Sequence, residues 1–145
     1  MDYEELRINE DNLPVELQEQ HLKYSMAGNR HAMAAKRTRE SKILLNELEA
    51  QLRDKIRAQL IEEGIRPTEG LLGERVQLEP EYKKLRRQVT ALEYEEESAK
   101  AFRDAVRMRH DLLLQLCYFY GQEATNTYET MAKKLERGRR KSSSQ

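Results

Sequence analysis

The side chains with the greatest chemical reach in this chain are cations grouped at short spacing. Lys36-Arg37-Thr38-Arg39-Glu40-Ser41-Lys42 places four bases on about two helical turns. Arg53, Lys55 and Arg57 repeat the arrangement further along. Groups of this kind can neutralise successive phosphates of a nucleic acid backbone, displacing its condensed counterions. The same groups also occur on plain solvated helix faces. Thr38 and Ser41 fall on a three-four seam with Ala34, Leu45, Leu48, Leu52 and Ile56. Lys36, Arg37, Arg39 and Lys42 therefore lie off that seam, towards solvent or a groove.

Other chemistry finds little support. His21, His31 and His110 are far apart, with no cysteine or carboxylate at metal-ligand spacing, so no metal is expected. Glu93, Glu95, Glu96 and Glu97 point in different directions on a helix and suit a solvated face or pairing with Lys100. The glycines of residues 64–79 are not a phosphate loop, because no strand precedes them and no Gly-Lys-Ser/Thr follows. There is no nucleophile elbow and no serine–histidine arrangement. No catalytic residue, enzyme activity or cofactor is expected.

Charged residues make up 36% of the 145, aromatics only 6%, and there is no Trp. The apolar residues sit mostly in helical stripes, so an isolated chain would bury a thin core. Self-association is the usual remedy. No run of eighteen apolar residues exists, which excludes a spanning helix. The acidic start Met1-Asp2-Tyr3-Glu4-Glu5 does not read as a signal peptide. Cys117 is the sole cysteine, so no intrachain disulfide can form, and an intracellular protein is the expectation. Net charge is zero but unevenly placed: residues 1–20 carry −6, residues 21–57 carry +5, and residues 133–145 carry +5. A neutral total with basic blocks is compatible with local binding of a polyanion.

The elements that must position these groups are helices. Residues 1–13 read as a flexible acidic N-terminus, 14–137 as a helical domain and 138–145 as a disordered basic tail. Within the domain, helices are expected at about 14–63 and 80–121, with a connector at 64–79. Gly28-Asn29 is a place for a kink or short break, Gly64 a C′ glycine, Thr68 a cap for a short helix weakened by Gly70 and Gly73, and Pro80 a helix start. Gly121 is the expected end of the second long helix. A further short helix with Tyr128, Met131 and Leu135 would follow. The second helix should fold back antiparallel on the first, giving an all-α fold of long amphipathic helices assembled as an oligomeric ring or bundle. Leu45, Leu48, Leu52, Val106, Leu113 and Leu116 are the expected oligomer interface.

The stretch from Leu78 to Leu116 carries a more particular pattern. Leu85, Val89, Leu92, Ala99, Val106, Leu113 and Tyr120 recur at helical steps, interrupted by Glu96, Arg103 and His110. An arginine-rich turn then runs into an apolar one, A-F-R-D-A-V-R-M-R-H-D-L-L-L-Q-L. Leu78-Glu79-Pro80-Glu81-Tyr82, Val89 to Leu92, Ala101-Phe102-Arg103 and Arg107 to Leu116 together resemble the phage UvsY family of recombination mediators. The resemblance covers roughly Leu44 to Gln122. It departs at Met108 and in the long tail after Gly121. Lys55-Ile56-Arg57 is similar to the family's basic Lys-x-Arg element, which contributes to single-strand binding. The aromatic pair that can follow that element is replaced by Leu60-Ile61, which removes base stacking there. Tyr24 and Tyr82 are the remaining stacking candidates.

The resemblance implies a single-stranded-DNA-binding mediator that loads a RecA-like recombinase in place of single-strand-binding protein. It implies a homo-oligomer, for which seven protomers would fit, in the cytoplasm of a phage-infected host. The expected DNA-binding residues are Lys36, Arg37, Arg39, Lys42, Arg53, Lys55 and Arg57. Two other readings explain the seams and the charge equally well: a coiled-coil adaptor or assembly scaffold without nucleic acid binding, and a small phage morphogenesis chaperone.

Overall fold

A computed structural model describes residues 3–142. The chain order is two 3-10 turns, Tyr3–Leu6 and Glu10–Asn12, then α1 (Leu13–Glu62), α2 (Glu69–Leu78) and α3 (Pro80–Ser142). There is no strand among the described residues. The all-α expectation holds, and the two long helices pack against each other. None of the described helices is long and apolar enough to cross a membrane.

Each boundary has a local cause. Gly64 has φ +72°, the left-handed region that other residues enter only at a cost. It ends α1 in a Schellman arrangement: its N–H donates to the carbonyl of Ile61 at 3.0 Å, and the N–H of Ile65 to that of Leu60 at 2.8 Å. Thr68 is extended, and its hydroxyl accepts from the N–H of Leu71 at 3.3 Å, so α2 is capped as expected. Gly70 and Gly73 do not prevent it, because Leu72 and Val76 are buried and tertiary packing outweighs propensity. Glu79 stands at φ −63°, ψ 128°, since the proline after it excludes the helical region. The chain therefore breaks at Glu79 and restarts at Pro80.

The chain divides into two compact units, residues 25–103 and residues 1–24 with 104–145. In the first, Leu52, Ile56 and Leu60 of α1 form a core with Leu72 and Val76 of α2 and Tyr82 of α3. Leu45, Leu48 and Leu71 pack against its edge. The Thr38 hydroxyl donates to the Leu92 carbonyl at 3.2 Å, and Arg103 meets His31 at 3.2 Å. Rising numbers on α1 thus meet falling numbers on α3, as in an antiparallel pair. In the second unit, Leu13, Val106 and Leu113 are buried. Gln20 Nε2 donates to the Val106 carbonyl at 2.7 Å, and the Tyr120 hydroxyl donates to Glu10 at 2.6 Å. The same antiparallel order holds there.

Four expectations need correction. The interface residues Leu52, Val106 and Leu113 are buried within the single chain, and Leu45, Leu48 and Leu116 are partly covered by it. Two antiparallel helices plus α2 cover more seam than a simple hairpin would. Residues 3–13 of the expected flexible N-terminus are ordered, while 1 and 2 lie outside the described residues: two 3-10 turns form, and the carbonyl of Arg7 and the carboxylate of Glu10 accept bonds from Arg109 and Tyr120. Helix α1 has no break at Gly28-Asn29, and α3 runs through Gly121 with no positive φ. One glycine inside a helix costs about 1 kcal/mol, too little to stop a long one. Finally, residues 138–142 of the expected disordered tail continue α3, while 143–145 lie outside the described residues.

Candidate nucleic-acid interface

The expected DNA-binding cations all sit on α1 within the unit of residues 25–103, and the structure sorts them by partner. Lys36 lies 3.7 Å from Glu40, one turn away on the same helix. Lys42 reaches across to α3 and pairs with Glu93 at 2.6 Å. The hydrogen bond from that carboxylate, and its charge, hold the Lys42 ammonium above the ordinary lysine range. Lys42 is thereby committed to fastening α1 to α3.

Arg53 and Arg57 converge on Glu69, the first residue of α2. Arg53 donates to Glu69 at 2.7 Å and to Glu49 at 3.0 Å. Arg57 lies 3.6 Å from the same Glu69 and 3.3 Å from Asp54. A guanidinium fork suits this double role, since its donors fan out in one plane. Both arginines therefore carry a structural duty, holding the start of α2 against α1. Arg53 is half-buried, while Arg57 remains exposed.

Arg37, Arg39 and Lys55 differ. All three are exposed, and none has an ion pair among the described residues. The sequence run is thus split into cations spent on carboxylates and cations left to solvent. Of the stacking candidates, Tyr82 is 8% exposed and belongs to the core, so it cannot present its ring to a base. Tyr24 is exposed and lines an open groove of about 600 Å³ with Leu17, Gln20, His21, Arg107 and His110. No group of three metal-ligating side chains occurs among the described residues.

Two features escaped the sequence reading. Lys83, Lys84, Arg86 and Arg87 form an exposed basic block on α3. Its signal in the sequence is the run K-K-L-R-R. The second is Arg109, which is 4% exposed. Its guanidinium donates to the Gln20 side chain, the Glu16 carboxylate and the Arg7 carbonyl. Burial alone would raise the Glu16 carboxyl. The Asn9 N–H at 3.1 Å and the Arg109 guanidinium outweigh it, leaving Glu16 below its ordinary value.

Within the segments that resemble the recombination mediators, Tyr82, Val89, Phe102, Arg109 and Leu113 are buried, whereas Leu78, Met108, Leu112 and Leu114 are exposed. Phe102 is 4% exposed with the Arg30 guanidinium 5.9 Å from its ring centre, and Arg103 touches His31. No protein-family model, curated protein or solved structure matches the chain.

Proposed function

We propose that this chain is a non-enzymatic, self-associating binder of single-stranded DNA that acts as a recombination mediator. In this role it helps a RecA-like recombinase replace single-strand-binding protein on the strand, in the cytoplasm of the cell where it is made. The observation that carries the reading is the set of exposed, unpaired cations Arg37, Arg39 and Lys55 along α1. Each supplies a weak phosphate contact. Repeated over the protomers of a ring or bundle, such contacts hold a strand by avidity. Positioning of this kind makes and breaks no covalent bond, so no catalytic group or cofactor is required.

The assembly would use a surface other than the seams first expected. On α3, Val106, Arg109 and Leu113 face the N-terminal segment. The same four-three stepping continues through Cys117, Gly121, Ala124, Tyr128, Met131 and Leu135. Tyr128, Met131 and Leu135 are 77%, 58% and 71% exposed. A heptad stripe on an uncovered helix is the pattern that copies of one chain bury against each other.

Fluorescence anisotropy with a labelled oligothymidylate at two salt concentrations tests the reading. Binding that weakens steeply with salt is expected, with a slope of about −0.7 per phosphate neutralised. Absence of binding would favour the adaptor or scaffold instead.

A further inference from the structure

Several cations of this protein are neutralised by geometry that helices favour. Lys36 has Glu40 four residues on, Arg53 has Glu49 four residues back, and Arg57 has Asp54 three residues back. The block Lys83, Lys84, Arg86, Arg87 breaks this habit. The positions three and four residues after its members are Arg86, Arg87, Gln88, Val89, Thr90 and Ala91, with no acid among them; Glu79 and Glu81 stand four and three residues before Lys83 and Lys84 but form no ion pair with them. Instead Lys83 faces Arg86 and Arg87, and Lys84 faces Arg87, at spacings where like charges repel. None of the four makes an ion pair among the described residues. They also stand near the N-terminal end of α3, where the helix macrodipole disfavours positive charge. Local helix stability therefore does not account for them.

Their placement is outward and contiguous. Tyr82 and Val89 are buried, and Leu85 is half-buried. At 100° per residue the four cations occupy an arc of about 160° on the opposite side of the helix. Two open grooves run along this arc. One, of about 490 Å³, is lined by Pro80, Lys83, Lys84, Arg87, Gln88 and Ala91. The other, of about 340 Å³, is lined by Lys83, Arg86, Arg87 and Thr90. Lys83 and Arg87 border both, so an anion chain lying along the helix would meet cations on either flank.

We propose that Lys83, Lys84, Arg86 and Arg87 form a phosphate-binding track for the backbone of single-stranded nucleic acid. The proposal rests on the reading that the chain binds single-stranded DNA, and it assigns α3 a binding surface beside the α1 cations. The anion relieves the repulsion among four like charges, and flexible phosphates, unlike a folded acidic surface, can follow a helical arc. Base identity plays little part, because contacts to phosphate carry no sequence information.

The test uses the full-length chain and a labelled oligothymidylate, read by anisotropy at about 50 and about 200 mM salt. Lys83→Gln with Arg87→Gln, and separately Lys84→Gln with Arg86→Gln, are compared with Arg66→Gln with Arg75→Gln. The last pair removes the same charge from exposed positions outside the track. Each track pair should weaken binding about tenfold at low salt and flatten the salt slope by about 1.4, two phosphates' worth. The control pair should change it less than threefold. Circular dichroism confirms that helicity is retained, and two independent pairs guard against one folding poorly. If both track pairs match the control while Lys55→Ala with Arg57→Ala weakens binding, the track is wrong and the DNA-binding reading stands. If the unmodified chain does not bind, both fall.

Discussion

Arg109 shows how much can depend on one side chain in a thin core. It is buried, it is charged, and three groups from the N-terminal segment converge on it: the Arg7 carbonyl, Glu16 and Gln20. Its Nε has no partner, so the site is already stretched in its hydrogen bonding. Arg109→Ala would leave Glu16, only 14% exposed at its side chain, with the longer Lys23 pair at 3.7 Å as its remaining cation. Breaking a buried pair in this way costs about 3 kcal/mol, and a urea midpoint series should show it. The pH dependence follows from the sign of the Glu16 shift. Its carboxyl lies below the ordinary value of 4.5 in the folded chain. The contribution is therefore present above about pH 4.5 and lost as pH falls through the lower folded value. Glu16→Gln should lower stability at neutral pH and narrow the difference from the unmodified chain on acidification. An unchanged gap between pH 7 and pH 3 would remove Glu16 from the account. Arg109 is hard to recognise as a core residue from sequence for a simple reason. The seam was stepped from Val106 to His110 to Leu113, whereas the helix buries Val106, Arg109 and Leu113. Both steppings fit a three-four pattern, and an arginine does not look like a core residue until its partners are in place.

At the scale of elements, much of the fold was readable because the signals were chemical and local. Gly64, Thr68 and Pro80 each mark a boundary that backbone sterics or an unpaired N–H dictates, and each stands where expected. Gly121 was misread because a glycine ends a helix only when the chain beyond it has somewhere else to go. After Gly121 come Ala124, Met131, Ala132, Lys133, Lys134, Leu135 and Glu136, with no proline, and the helix continues. The two glycines therefore make opposite predictions. Gly121→Ala should raise stability by about 0.5–1 kcal/mol, since the new Cβ meets nothing within 4 Å and the unfolded chain loses freedom. Gly64→Ala should lower it by about 1–2 kcal/mol, because φ +72° brings Cβ against the following carbonyl. Thermal melts of the two variants measured side by side would show the contrast. A fall on Gly121→Ala would mean that α3 ends there after all. The sorting of the α1 cations was not readable at this scale. Glu69 and Glu93 lie 16 and 51 residues from Arg53 and Lys42, and only the packing of α2 and α3 brings them within reach.

At the scale of the whole molecule, the question is which apolar surface remains once the chain has covered what it can. Leu113 is fully buried and Val106 nearly so. Leu113→Asp would therefore place a carboxylate inside one chain, and loss of folding is the expected result, with any loss of assembly secondary. Met131 and Leu135 are different, since they are exposed on a stretch of α3 with no buried residue from Leu114 to Glu136. A helical segment of this length, rich in threonine and asparagine at residues 125–127, is marginal by itself in water. Burying its stripe against copies of the same segment would supply what propensity does not. Met131→Asp with Leu135→Asp should then convert the assembly to a species near the chain mass of 17.1 kDa in sedimentation velocity, at micromolar concentration. The urea midpoint reporting on Leu52 and Val76 should stay within about 0.5 kcal/mol, as for other exposed positions. Affinity for a long oligonucleotide should fall much more than affinity for a short one, because only the long strand gains from linked sites. If the unmodified chain already sediments as a monomer, avidity cannot operate, and each protomer would have to hold its strand with its own few exposed cations.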